Sequence, residues 1–385
     1  MRIKGVNLGG WLLMEGYILG GRNIAEHLFK KRFKNIYGDS ELRNFEKLYR
    51  DNFIQKEDFY RISQLGANCV RLPFNYRILE KKPFKYEEDG FLYLDRAISW
   101  AKSYKLKIIL DLHSAQGGQN CDWHSDSSGK AYLWESNNLR KRVNKLWETI
   151  AKRYKGEETI YGYDLLNEPV IEKSKLVTLK ELYKEIIKSI RNIDKEKFIF
   201  LEGNIWAQEI EFLQDILGEK IAISIHTYQP LNFTFNFINQ YRYPGKIDGE
   251  FWDKSQIFRY LDKYYSFSKR KKVEIFVGEF GINYRGNAWG EVDYLHDILE
   301  VFEEFSFSYT YWTYKSIPIG IFPDGLYQYL YNPKYVRREG HIFGWESYLS
   351  CWEKEKKEIV NFWRTENYFI NKEISSLLKE FFLKP

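Results

Sequence analysis

Ile160-Tyr161-Gly162-Tyr163-Asp164-Leu165-Leu166-Asn167-Glu168-Pro169 contains the fold in small. Ile160–Leu166 is almost continuously apolar or aromatic, as a strand covered on both faces is. The next residues are a carboxamide, a carboxylate and a strand-ending proline. A helix follows, because Leu179, Leu182, Tyr183, Ile186, Ile187 and Ile190 fall at i, i+3, i+4, i+7, i+8 and i+11 and form one apolar stripe. A strand, a polar end and an amphipathic helix make one βα unit.

The unit recurs on both sides. Strands are expected at Ile3–Leu8, Cys69–Leu72, Ile108–Leu112, Phe198–Leu201, Ile221–Ile225, Val273–Val277 and Ser308–Trp312. Helices are expected at Leu92–Tyr104, Leu139–Tyr154, Phe258–Phe267 and Tyr294–Phe305, with Ile370–Leu383 closing the chain. Eight strands alternating with helices predict an α/β fold of the (β/α)8 TIM barrel type. An open doubly wound sheet would want a G-x-G-x-x-G turn after its first strand. Gly9-Gly10-Trp11 lacks that spacing, and Trp11 would crowd a pyrophosphate. Such a barrel takes about 250 residues. The surplus falls in insertions at Gly9 to about Glu57, Ser114–Glu135, Gln229–Trp252 and Lys315–Trp345, all after strands and so on the C-terminal face. The expectation is a single catalytic domain over residues 1–385 with long loops on that face.

The 385 residues carry a net charge of +6, with 29% charged and 44% hydrophobic side chains, which fits a folded chain. The basic runs at Lys30–Lys34 and Lys269–Lys272 are short, so no nucleic-acid partner is expected. No apolar run approaches the roughly 20 residues that span a bilayer, so no membrane partner is expected either. There is no signal-peptide core, and Cys69, Cys121 and Cys351 are few and far apart, so a cytoplasmic protein is expected, with the oligomeric state open and monomer as the default. Aromatic residues reach 18%. Tyr183, Phe258 and Phe267 lie on helix stripes and read as core. Trp11, Trp123, Tyr228, Trp312, Trp289 and Trp345 fall at strand ends or in rim loops, where ring faces can stack on a ligand.

Polar residues gather at the strand ends: Arg71, His113, Asn167 with Glu168, His226 with Tyr228, Glu279, and the aromatic Trp312. Burying that many polar groups at one rim without partners would be costly, so the rim reads as a site. Glu168 and Glu279 end strands 4 and 7. Two carboxylates facing each other across a small cavity are the equipment of glycoside hydrolysis. Arg71 would keep one of them ionised, Asn167 would hold a sugar hydroxyl, and Trp312 would floor the sugar.

In this combination and order, Val70-Arg71-Leu72-Pro73, Leu112-His113, Leu166-Asn167-Glu168-Pro169, His226-Thr227-Tyr228, Gly278-Glu279-Phe280-Gly281 and Tyr311-Trp312 resemble glycoside hydrolase family 5, retaining β-glycosidases on an eight-fold barrel. The resemblance implies that Glu168 is the acid/base and Glu279 the nucleophile. It implies that Arg71 and Tyr228 support the nucleophile, and that His113, Asn167, His226 and Trp312 line the glycone subsite. Gly5-Val6-Asn7-Leu8-Gly9-Gly10-Trp11-Leu12 with Glu15, and His113–Asn120, look like the exo-β-1,3-glucanase-type branch, where the glutamate matching Glu15 contacts the terminal sugar. The pattern departs from that branch at Gln116 and across Cys121-Asp122-Trp123-His124, which places Asp122 and Trp123 near the substrate without fixing their register.

The expected substrate is a β-linked glucoside or gluco-oligosaccharide, cleaved by double displacement and without cofactor. The four long loops point to a closed pocket and exo action. Glu168 is expected to hold its proton through a raised pKa beside the negative nucleophile. The alternatives are an open-cleft endo-β-1,4-glucanase, a mannanase or mannosidase, and a non-catalytic carbohydrate-binding barrel. A metal hydrolase using His113, His226 and His124 lacks any recognisable ligand spacing, and no metal is expected.

Overall fold

The computed structural model describes residues 1–330 and 344–385. Eight parallel strands close into a barrel: β1 (Lys4–Asn7), β2 (Cys69–Asn75), β3 (Lys107–Ser114), β4 (Ile160–Asp164), β5 (Phe198–Glu202), β6 (Ile221–His226), β7 (Glu274–Phe280) and β8 (Ser308–Tyr311). Each strand pairs with its neighbours in sequence. β1 closes the ring by pairing Asn7 with Arg71 on one side and Lys4 with Tyr309 on the other. The fold is the expected (β/α)8 barrel. β4 stops at Asp164, before the expected Leu166.

The outer layer is α1 (Glu26–Phe53), α2 (Lys56–Gln64), α3 (Glu88–Ser103), α4 (Asn137–Arg153), α5 (Leu176–Arg191), α6 (Lys254–Lys271), α7 (Glu291–Phe305), α8 (Tyr348–Phe362) and α9 (Lys372–Phe382). The α5 stripe buries Leu179, Leu182, Tyr183, Ile186 and Ile190 against the barrel. No long helix joins β5 to β6. One short turn at Asn204–Ala207 and a 3-10 turn at Glu211–Leu213 stand there instead.

The barrel interior is layered by the two-residue period of its strands. Cys69, Ile109, Phe200, Ala222 and Phe276 form an apolar floor with Ile3. Two residues further along, Arg71, Asp111, Glu202 and Ser224 occupy the next level, each fully buried. One more step brings His113 and His226 to the mouth. On β7 the register against β6 shifts between Val277 and Glu279. That irregularity turns Glu279 into the mouth. Gly278 is required there, since a Cβ would sit 2.8 Å from Ser224 Oγ and 3.0 Å from His226 Nε2.

The insertion after β1 forms α1, a helix not anticipated from the sequence because its charged runs obscure the aromatic spacing. It breaks at Gly38, where φ is +84°. Phe29, Phe33, Phe45 and Tyr49 face α8 and its flanks, making an aromatic annex beside the barrel. There Phe29 stacks on Trp345 at 4.3 Å, and Trp352 on Trp363 at 5.9 Å.

The annex corrects part of the ring assignment. Trp345 is fully buried in it, and Trp11 is 1% exposed, with Nε1 donating to Arg50 O at 2.8 Å. Neither can meet a ligand. Trp289 lies under the Arg242 and Arg285 guanidinium groups and does not line the cavity at the barrel mouth. Phe258, expected in the core, is 38% exposed on α6. Of the insertion expected at Lys315–Trp345, residues 331–343 lie outside the described residues.

Candidate active site

A cavity of about 400 Å³ opens at the C-terminal end of the barrel. Glu168, Glu279, Glu15, His113, Asp122, Trp123, His226, Tyr228 and Trp312 all line it, so nine residues singled out from sequence come together. Arg71 and Asn167 lie beneath its wall, both fully buried.

Arg71 explains the layer below. Its Nε donates to Asp164 Oδ2 (3.0 Å), its Nη1 to Glu279 Oε1 (2.8 Å) and Asn7 Oδ1 (3.1 Å), and its Nη2 to Asn167 Oδ1 (2.9 Å) and Glu202 Oε1 (3.0 Å). Asp111 Oδ2 lies 3.1 Å from the same Nη2. One guanidinium therefore meets four carboxylates and Asn167 Oδ1, while Asn167 Nδ2 lies 3.4 Å from His113 Nε2 at the cavity. Burial and the Glu202 charge push the Asp164 carboxyl well above the usual range, against the pull of Arg71, which relieves the excess of negative charge.

Glu279 is held from both sides. Arg71 takes one oxygen, and the Tyr228 hydroxyl donates to Oε2 at 2.9 Å. Burial and the Glu279 charge keep the Tyr228 phenol well above its usual range, so it remains a donor. Glu168 follows β4 with φ +49°, in the left-handed region. Its backbone N–H donates to Glu202 Oε2 at 2.6 Å. His226 Nδ1 lies 2.7 Å from Glu168 Oε1 and 3.6 Å from Glu279 Oε2, while its Nε2 lies 3.2 Å from Glu202 Oε1. One oxygen of Glu168 and one of Glu279 are within 4.8 Å of each other.

The protonation of this group differs from the expectation. Burial opposes the Glu168 carboxylate, but the hydrogen bond and charge of His226, with His124 and His113 behind, outweigh burial and hold it down at about 2. Burial likewise opposes a charged His226, yet the Glu202 and Glu279 charges and the Glu168 hydrogen bond hold that imidazolium well above the usual histidine range. The proton of the pair therefore sits on His226. A raised Glu168 was expected from the negative neighbour alone; His113, His226 and His124 were named from the sequence, but only the closed barrel brings them to this carboxylate.

His113 packs flat on Trp312 at 5.3 Å and is fixed by Asp111 Oδ2 at 2.7 Å. Trp312 Nε1 donates to the Tyr17 hydroxyl. Glu15 is 2% exposed, and its Oε1 is buried without a hydrogen bond to any described residue. Burial and the charges of Glu279, Glu168 and Asp111 push its carboxyl well above the usual range. It lines the cavity. Asp122 accepts from Trp206 Nε1 at 2.8 Å.

Loop aromatics close the rim. Tyr17 meets Trp123 (5.7 Å) and Phe322 (5.1 Å), and Phe322 meets Phe235 and Phe237 (both 5.5 Å). The loops after β3, β1, β8 and β6 thus make a continuous arc. On the β4–β5 side the cavity is lined by Glu168 and Trp206, and Trp206 reaches across to Asp122.

Among the described residues, Glu168, His226 and Glu279 could share a cation, as could Asp111, Asp164 and Glu202. At the second cluster Arg71 already supplies the positive charge, and at the first the lone pairs face Arg71, Tyr228 and His226 donors. Sequence reading missed Glu202, Tyr17, Trp206 and Phe322. Glu202 carried a signal, since it ends an apolar strand just as Glu168 and Glu279 do. The rim aromatics carried none, because loop geometry decides where they point.

A profile described as Cellulase (glycosyl hydrolase family 5) matches residues 32–317. The chain belongs to glycosyl hydrolase family 5. Among family relatives, a beta-xylosidase of Phanerodontia chrysosporium is 30% identical over 82% of this chain and 67% of its own length. Endoglucanase C of Acetivibrio thermocellus is 28% identical over 83% of this chain and 92% of its own. A probable glucan 1,3-beta-glucosidase A of Aspergillus clavatus is 29% identical over 60% of this chain and 57% of its own. The family 5 protein described here is a glycoside hydrolase.

Proposed function

We propose that this enzyme releases single glucose units from the non-reducing end of short β-linked gluco-oligosaccharides or glucosides, by a retaining double displacement. Glu279 attacks the anomeric carbon while Glu168, protonated through its His226 partner, donates to the departing oxygen. Water deprotonated by Glu168 then releases the sugar from Glu279. The carboxylate spacing supports this assignment: oxygens within 4.8 Å suit the roughly 5–5.5 Å separation of retaining enzymes and are too close for the roughly 6.5–9.5 Å of inverting ones. Arg71 and Tyr228 aim Glu279 before substrate arrives.

The observation that carries the exo reading is the aromatic arc. Tyr17, Trp123 and Phe322 wall off the side of the cavity where Glu15, His113 and Trp312 would receive the glycone. A polymer running through the site would collide with that wall. Glu15, whose Oε1 has no hydrogen-bond partner among the described residues, lines the cavity to bond a glycone hydroxyl. The relatives favour glucose by name in two of three cases, with xylose the rival.

The test is a panel of aryl β-D-glucoside, xyloside and mannoside with cello- and laminari-oligosaccharides. Glucose should be the first product, released as the β-anomer and seen by NMR before mutarotation. An α-anomer first would refute retention. A rapid fall in the viscosity of a soluble glucan with scattered product lengths would refute exo action and favour an endoglucanase.

A further inference from the structure

Glu202 ends β5 and is fully buried, so it cannot touch a sugar, and the two-step mechanism leaves it without a part. A carboxylate out of water needs partners, and its two oxygens meet three other elements of the barrel. Oε1 accepts from Arg71 Nη2 of β2 at 3.0 Å and lies 3.2 Å from His226 Nε2 of β6. Oε2 accepts from the Glu168 backbone N–H, just after β4, at 2.6 Å. That N–H belongs to a non-glycine residue at φ +49°, a conformation that a Cβ disfavours and that needs holding. The backbone of the acid/base glutamate is therefore gripped by the same side chain that stands behind its imidazole partner.

The His226 ring hangs between two carboxylates by its two nitrogens. Nδ1 lies 2.7 Å from Glu168 Oε1 on the cavity side, and Nε2 faces Glu202 on the interior side. The interior side is tightly packed, since even a Cβ on Gly278 would come within 3.0 Å of Nε2. The two nitrogens are not equivalent. If Nε2 lost its proton, its lone pair would stand 3.2 Å from a carboxylate oxygen, and the two would repel. If Nδ1 loses its proton to Glu168, the Nε2–H stays in favourable contact with Glu202. The fixed carboxylate thus decides which nitrogen exchanges.

We propose that Glu202 is the positioning residue of the acid/base, keeping His226 protonated at Nε2 so that the imidazole exchanges its proton with Glu168 through Nδ1 alone. The inference rests on the two-glutamate reading above. In the first step the Nδ1 proton passes to Glu168 and on to the leaving oxygen, as the C–O bond breaks and Glu279 bonds to the anomeric carbon. His226 is then neutral and Glu168 a carboxylate. In the second step Glu168 takes a proton from the attacking water, the bond to Glu279 breaks, and the proton returns to Nδ1. Nε2 keeps its hydrogen throughout, the part a buried carboxylate plays behind a catalytic imidazole in hydrolase triads. The charges agree. Burial opposes the His226 cation, and Glu202 is the largest of the charges that outweigh burial, ahead of Glu279. Asp164 faces the ring from β4, with Arg71 beneath it, and His124 and His113 act on Glu168 from the β3 side.

The first measurement needs no substrate. In protein carrying isotope-labelled histidine, the His226 ring signals in NMR are those lost in His226→Asn. A ring protonated at both nitrogens, or at Nε2 alone, is expected near neutral pH, and a ring protonated at Nδ1 alone would overturn the proposal. The second compares kcat/KM for β-D-glucosyl fluoride, whose departure needs little acid help, with that for cellobiose and laminaribiose. Glu202→Gln, which keeps the shape without the charge, should lose about 10²-fold more on the disaccharide that the wild type cleaves than on the fluoride. The alkaline limb of its disaccharide pH profile should move to lower pH, because without the Glu202 charge His226 gives up its proton sooner. Glu202→Asp, which keeps the charge, should leave that limb nearer the wild-type position. Equal losses on fluoride and disaccharide, no loss at all, or an unmoved limb in Glu202→Gln would each overturn the proposal. Glu168→Gln separates the two readings. It too should lose more on the disaccharide than on the fluoride, and if it does not, the acid/base assignment itself fails. A wild type inactive on all three substrates would refute the glucosidase reading, and the histidine measurement would still decide for or against Glu202.

Discussion

The annex between α1 and α8 and the mouth of the barrel draw on the same kinds of side chain and use them differently. In the annex, Phe45 lies among Phe33 (4.6 Å), Trp352 (5.0 Å), Phe29 (5.6 Å) and Trp363 (5.6 Å), and all five rings are fully buried. At the mouth, the rings of Trp206, Trp123 and Phe322 keep a side on the cavity, and Trp206 is fixed by its hydrogen bond to Asp122. The annex removes apolar area from water, which stabilises the fold. The mouth gathers Arg71 and its four carboxylates out of water, which is costly even with good pairing. An aromatic count thus says little until burial divides it. One share supports the structure, and the other shapes a site that on its own account destabilises it.

The comparison can be broken by exchanging the roles. The largest expected effect is at the mouth. Glu279→Gln should lower kcat/KM on an aryl β-glucoside by on the order of 10⁴-fold or more, with the melting temperature unchanged or raised. Activity close to wild type would remove Glu279 from the reaction. Next is the annex, where Phe45→Ala should cost about 3–5 kcal/mol in denaturant unfolding and lower Tm by several degrees, with kcat preserved below the transition. A large loss of kcat with no loss of stability would show that the two regions are not separate.

The third effect sharpens the contact between them. Lys315, just beyond β8, is fully buried, and its Nζ donates to Phe53 O at the end of α1, to Trp363 O (2.8 Å) and to Thr365 Oγ1 (3.0 Å). Burial pushes its pKa from 10.5 down to about 7, against the Asp58 charge. Above pH 7 the folded chain gives up this proton while the unfolded chain keeps it, so the unfolded state binds more protons between pH 7 and about 10. Stability should therefore rise with pH in that window, with a slope approaching about 1.4 kcal/mol per pH unit. Urea unfolding at several pH values would measure it, and Lys315→Met should remove the rise just above pH 7. Lys4, lowered to about 8 chiefly by burial, adds the same sign at higher pH. Equal slopes in wild type and variant would show that Lys315 stays charged.

Much of the barrel was legible, because strand period and helix stripe are local. α5 illustrates this, since its stripe alone named the buried face. α1 was not legible. Its aromatic residues make sense only against Trp352 and Trp363, some 300 positions further along the chain. The site divides similarly. Glu168 and Glu279 stood out as polar ends of apolar strands, and Glu202 had the same signature and was passed over. Trp11 and Trp345 sit in loops as Trp123 does, and only packing buries two of them and leaves the third on the cavity.

The sequence by itself determined the eight-fold alternation and the pair of glutamates at the strand ends, because hydrophobic period and a polar stop are properties of a few adjacent residues. Tertiary structure alone decided the electrostatics and the shape of the pocket. Arg71 meets Asp164 across 93 positions and Glu279 across 208. Glu168 lies low instead of high because His226 reaches it from another strand. Charge and shape depend on which side chains share a level of the closed barrel, and closure brings together residues that are far apart in the chain.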